Sequence, residues 1–152
     1  MIRTLDSVPV PALYFGLAGL LPFVLSAIAC WLVPEAGRLF GAVTPEFILC
    51  AYGAVILSFL GGIRWGVAMQ HGSLINDWVV VGLAMVPSLL AWPALLLSPS
   101  VGIPMVVVGL LLQYAIDYQS SKAALTPQWF LPLRTVLTLG AVLSLLLGWV
   151  AN

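Results

Sequence analysis

Long apolar runs follow one another along the chain, without the narrow stripe of an amphipathic helix or the alternation of a half-buried strand. Roughly 20 residues are needed to cross bilayer hydrocarbon as a helix. On that window the pattern resolves into five stretches: 10–33, 45–69, 78–97, 101–118 and 128–150. Between them lie Pro34-Glu35-Ala36-Gly37-Arg38, Gln70-His71-Gly72-Ser73, Ser98-Pro99-Ser100, and Gln119 through Pro127. These are turn compositions. All the connections are short, so neighbouring helices run antiparallel. The prediction is an all-α polytopic membrane protein, with five transmembrane helices in an up-down bundle and residues 1–152 forming a single integral-membrane domain. Pro22, Pro87 and Pro93 fall inside the first and third stretches, where each removes a backbone hydrogen bond and is expected to kink its helix.

Composition identifies the solvent. Of 152 residues, 62% are apolar and 7% charged, against roughly a quarter charged in a soluble domain. Five Lys/Arg and five Asp/Glu cannot keep a soluble surface of this size dispersed, so lipid is the medium for most of the chain. A net charge of zero and the absence of a basic run exclude phosphate-driven nucleic-acid binding and a polybasic lipid anchor. Membrane lipid, a protein partner or a second copy of the chain are the expected partners. Arg3 before an apolar run, with Ala27-Ile28-Ala29 further on, imitates a secretory signal. The run exceeds a signal core in length and begins at Pro9 and Pro11, so an uncleaved first helix is expected.

Charge and tryptophan then orient the spans. Arg3, Arg64, Lys122 and Arg134 fall on the N-terminal side of a five-span topology and Arg38 on the other. The excess of positive charge predicts a cytoplasmic N-terminus and an outer C-terminus in a bacterial inner membrane. Trp65, Trp78 and Trp129 map to one interface, Trp31, Trp92 and Trp149 to the other, the levels at which amphipathic rings anchor.

Within the second stretch, Ala54, Ser58, Gly62 and Gly66 recur every fourth residue, and Gly53, Gly61 and Ala68 form a second small face. Small side chains let backbones approach closely in lipid. This helix is therefore expected at the centre of the bundle, with self-association through Gly62 and Gly66 as the alternative.

Three charges remain inside the apolar stretches. Arg64, Asp117 and Arg134 come to a similar depth in an antiparallel bundle, the two arginines about 6–9 Å below the boundary at about 1.5 Å per residue. Burial of charge is costly there unless it is paired. Asp117 is expected to bridge Arg64 or Arg134 and to leave one guanidinium partly unneutralised. One reading is a polar clamp on three helices, assisted by Gln113, Tyr114, Tyr118 and Tyr52. The other is a binding site for an anionic headgroup or small anion, because the guanidinium fork suits carboxylate and phosphate.

Other chemistry finds little support. His71 is the only histidine, and Cys30 and Cys50 fall at the opposite membrane side, so no metal site or cofactor is expected. His71, Ser73 and Asp77 share a loop without the oriented parts of a hydrolase. Gly61-Gly62-Ile63-Arg64-Trp65-Gly66 is glycine-rich but lies within a span. No carboxylate sits mid-span as a proton path would require.

The stretch Tyr52-Gly53-Ala54-Val55-Ile56-Leu57-Ser58-Phe59-Leu60-Gly61-Gly62-Ile63-Arg64-Trp65-Gly66, with Gln113-Tyr114-Ala115-Ile116-Asp117, Pro127-Gln128-Trp129-Phe130 and Leu133-Arg134, resembles a family of small membrane proteins of unknown function. That family spans proteobacteria and includes a mitochondrial membrane protein of animals. The resemblance implies a multi-span inner-membrane protein and carries no catalytic residues. A non-enzymatic structural or complex-assembly role through lipid and protein contacts is the expected function. The alternative is a small transporter or anion-binding protein using Arg64 and Arg134.

Overall fold

The computed structural model describes residues 7–33 and 43–151. Arg3, Glu35 and Arg38 lie outside the described residues. Among the described residues six α-helices follow in order: α1 Val10–Ala18, α2 Leu21–Leu32, α3 Pro45–Gln70, α4 Trp78–Ala94, α5 Pro99–Lys122 and α6 Phe130–Val150. A short 3-10 turn, Leu74–Asn76, joins α3 to α4.

The first apolar stretch is one span broken in two. The chain turns at Gly19-Leu20, where Leu20 N–H reaches back to the Leu17 carbonyl at 3.0 Å. Pro22, which has no N–H to donate, then opens α2. The phenol of Tyr52 donates to the Gly19 carbonyl at 2.9 Å, which supplies a partner at the break. Taken together as Val10–Leu32, these two helices, α3, α5 and α6 are long and apolar enough to cross a membrane. At 17 residues α4 is shorter, about 26 Å of helix against about 30 Å of hydrocarbon.

Local chemistry sets the ends. The Thr44 hydroxyl accepts from Phe47 N–H at 3.3 Å, with Pro45 in the first turn of α3. Asp77 caps α4 by accepting from Val79 N–H at 2.8 Å and Val80 N–H at 3.3 Å, the usual use of a short acidic side chain before a helix. The third stretch ends at Ala94 rather than residue 97, because the chain after Pro93 tightens into a turn, with Leu95 N–H bonded to Trp92 and Leu96 N–H to Pro93. Ser98-Pro99, read above as loop, starts α5. That helix continues four residues beyond 118 to Lys122, and the chain then turns through Ala124, whose φ is 54°.

The exterior is apolar as well as the interior. Phe23, Leu49, Leu57, Ile103, Val106, Leu110 and Leu145 fill the core, yet Gln113, Asp117, Arg134, Thr138 and Ser144 are buried with them. Large apolar side chains such as Phe15, Phe59, Trp78, Leu89 and Leu143 cover the exterior. An apolar exterior this continuous is unsuited to water and suited to lipid.

Helix α3 packs against α2, α4, α5 and α6. Its close contacts come from the second small face. A Cβ built on Gly53 falls 2.8 Å from the Val106 side chain, and one on Gly61 falls 2.5 Å from the Ala84 carbonyl oxygen. Ala54 is buried as well. At Gly62 and Gly66 an added Cβ meets nothing within 4 Å, and Gly62 is exposed with Val55, Phe59 and Met69. Within the chain, then, the Gly62/Gly66 pair does not serve as the close-packing face expected from the sequence. Ser58 is half-buried. The helix is central in its contacts but open along one strip.

Candidate functional site

Up-down packing gathers the late turns of α3 and α5 and the first turns of α6 at one end of the bundle. The opposite end is tied by tryptophan: Trp31 Nε1 donates to the Leu147 carbonyl at 3.1 Å and Trp149 Nε1 to that of Ser100 at 3.0 Å. Those bonds bring the ends of α2 and α6 to the start of α5. Arg64 lies six residues before the last of α3, and Asp117 five before the last of α5. Arg134 is the fifth residue of α6. All three residues therefore stand towards the same end of the bundle.

Asp117 selects Arg134. Arg134 Nε donates to Asp117 Oδ2 at 2.8 Å, with both side chains almost wholly buried. Gln113, one turn earlier on α5, donates from Nε2 to Asp117 Oδ1 at 3.0 Å. Both carboxylate oxygens are thus occupied, and charge-assisted bonds of this length are the strong kind.

Arg64 is the guanidinium left over. It projects from the buried face of α3, one turn after Leu60 and one before Ala68, both buried. Its Nε and Nη1 are buried and have no hydrogen-bond partner, while the residue as a whole is half-buried. Each unmade bond of a buried donor costs about 1–3 kcal/mol, so two donors on a cation form a strong demand for an acceptor. Arg134 Nη2, Gln113 Oε1 and Thr138 Oγ1 are also buried and unpartnered.

The tyrosines divide. Tyr114 exchanges a hydrogen bond with Thr135 at 2.9 Å, binding α5 to α6 beside the ion pair. The Tyr118 ring lies under the Lys122 ammonium, 4.7 Å from nitrogen to centroid. Tyr52 is not part of the cluster. It lies 12 residues before Arg64, about 18 Å along α3, and serves the Gly19 break, edge-on to Phe23 at 4.8 Å. Thr135 and Thr138 carry no charge to mark them in the sequence, although Thr138 stands one turn from Arg134 on the same face of a largely apolar helix.

The remaining polar candidates have structural uses. His71 Nδ1 is 3.0 Å from the Val67 carbonyl at the end of α3, and Asp77 is the α4 cap. Cys30 and Cys50 are buried free thiols, and Cys50 Sγ donates to the Ala94 carbonyl. Among the described residues no three His, Cys, Asp or Glu side chains converge as metal ligands would.

Comparison with known proteins agrees with this architecture. The family model described as "Protein of unknown function (DUF3429)" matches residues 8–150. Transmembrane protein 69 of Xenopus tropicalis is 43% identical over 147 residues, covering 95% of this chain and 55% of the relative. Transmembrane protein 69 of Mus musculus is 37% identical over 145 residues, covering 92% and 55%. The chain therefore spans about half the length of the curated relatives it matches. No solved structure matches.

Proposed function

The chain belongs to DUF3429, a family of proteins of unknown function, and we propose for it a non-enzymatic role in which it binds the anionic headgroup of a membrane lipid at Arg64. The observation that carries this reading is the pair of buried, unpartnered donors on Arg64 beside a carboxylate already filled by Arg134 and Gln113. Phosphate or carboxylate oxygens meet both demands of that guanidinium, its charge and its hydrogen bonds. The Asp117–Arg134 pair acts as the clamp that holds α5 against α6, so the two readings of the charge cluster divide between two arginines.

The same reading sets the protein in a bacterial inner membrane, with α4 completing five crossings. Arg64, Lys122 and Arg134 at one end of the helices favour a cytoplasmic N-terminus; a C-terminal reporter fusion is expected to be active only outside the cytoplasm, and activity inside it would overturn this orientation. A second reading is assembly with a protein partner or another copy of the chain. It rests on the exposed Gly62 and the open Gly66, a surface that permits close helix approach.

The test of lipid binding compares Arg64→Ala with Asp117→Asn in nanodiscs containing anionic or zwitterionic phospholipid. Arg64→Ala is expected to fold and to lose the wild-type preference for anionic lipid in thermal stability. Asp117→Asn is expected to be unstable in both. Equal loss of folding in the two variants would make Arg64 a structural residue.

A further inference from the structure

Apart from Arg64, two residues that each carry a buried, unpartnered donor line a single cavity. It has a volume of about 150 Å³ and lies where the α1–α2 break meets α3, α5 and α6. Leu110 and Ala141 contribute to an otherwise apolar wall, in which Arg134 and Thr138 are the polar residues. Arg134 is 6% exposed and Thr138 5%, and Nη2 of the first and Oγ1 of the second have no partner. They are one helical turn apart on α6, hence on the same face. Phe15 and Phe59 line the cavity and are 79% and 63% exposed, so its mouth faces the lipid side.

We propose that this cavity receives the carbonyl end of a membrane-soluble molecule, with Arg134 Nη2 and Thr138 Oγ1 donating to one carbonyl oxygen. That oxygen carries two lone pairs, one for each donor. The charge of Arg134 is already matched by Asp117, so the cavity supplies hydrogen bonds and no excess charge. A neutral acceptor fits, whereas a buried carboxylate there adds an uncompensated charge. The volume suits a compact headgroup, since an apolar cavity of about 150 Å³ admits a benzene ring. A tail leaves between Phe15 and Phe59 into the acyl chains. Two membrane components carry such a carbonyl: the ring of a prenylated quinone and the ester linkage of a glycerolipid.

The experiment uses the full chain in nanodiscs of zwitterionic, ether-linked phospholipid, which has no ester carbonyl and no net charge to engage Arg64. Titration with a decyl-substituted para-benzoquinone is expected to raise the unfolding temperature saturably. Thr138→Val keeps the shape and removes one hydrogen bond, which at about 1.4 kcal/mol weakens binding about tenfold. Ala141→Leu fills the cavity and is expected to abolish the effect. The second arm replaces ether lipid by ester lipid without quinone. A rise in stability that Thr138→Val loses, with no response to quinone, assigns the carbonyl to the lipid. No response to either carbonyl source overturns the proposal. So does a response that Thr138→Val leaves intact.

Discussion

Gly61 and Gly62 are neighbours in sequence with opposite surroundings, and replacing each by alanine separates packing from helix propensity. A Cβ at Gly61 falls 2.5 Å from the Ala84 carbonyl oxygen and 3.4 Å from Pro87. Carbon–oxygen contacts settle at about 3.3–3.6 Å, so α3 and α4 must part by about 0.8–1.1 Å. The obstacle is backbone, not a side-chain tip that turns aside. Overpacking costs about 1–3 kcal/mol, the upper end applies here, and alanine returns about 1 kcal/mol of helix propensity. The expected net loss for Gly61→Ala is about 2 kcal/mol. At Gly62 the Cβ meets nothing within 4 Å, so Gly62→Ala gains about 1 kcal/mol. Reversible unfolding in mixed micelles, followed by circular dichroism, reads the difference of about 3 kcal/mol between the variants. Equal shifts, or a greater loss at Gly62, would refute the assignment of the packed and open faces of α3.

Three further substitutions test the parts around the site. Asp117→Asn strands the buried Arg134 charge, and breaking a buried pair from one side costs about 3–5 kcal/mol; an unfolding free energy unchanged within experimental error would remove the clamp. Ala124→Gly relieves the positive φ of 54° at the end of α5 and is expected to stabilise by about 1 kcal/mol in the same assay. Tyr52→Phe deletes the bond to the Gly19 carbonyl and is expected to cost about 0.6–1.5 kcal/mol, with faster amide exchange at the α1–α2 break than in the wild-type protein.

The sequence made the solvent and the helix plan legible because long apolar runs and turn residues are local signals. It was less informative where neighbours decide. Pro22 announced a disturbance in the first span, but the break at Gly19-Leu20 depends on Leu20 packing against Gly140 and on the Tyr52 hydroxyl 33 positions away. Ser98-Pro99 reads equally as loop and as a helix start, and only the continuing α5 distinguishes them. The four-residue spacing of Gly62 and Gly66 points to Gly62, whereas the close approach is at Gly61, one residue round the helix. At the site, charge scarcity was sufficient to select Arg64, Asp117 and Arg134. Which arginine Asp117 takes was not legible, because both stand at the same depth and the choice follows from the packing of α5 on α6. Thr138 carries no charge, and its part in the cavity wall emerges only when α1, α2 and α3 close around it.

On the proposed reading, Arg64 answers an anion from outside the chain while Asp117 answers Arg134. Solid-state NMR on full-length protein with nitrogen-15 arginine side chains, in bilayers containing anionic phospholipid, measures it through nitrogen–phosphorus dipolar dephasing. Dephasing of the Arg64 guanidinium by lipid phosphorus is expected, and none at Arg134 Nε, which is coupled instead to the Asp117 carboxylate carbon. Coupling of Arg64 to that carboxylate, without any contact to phosphorus, would contradict it.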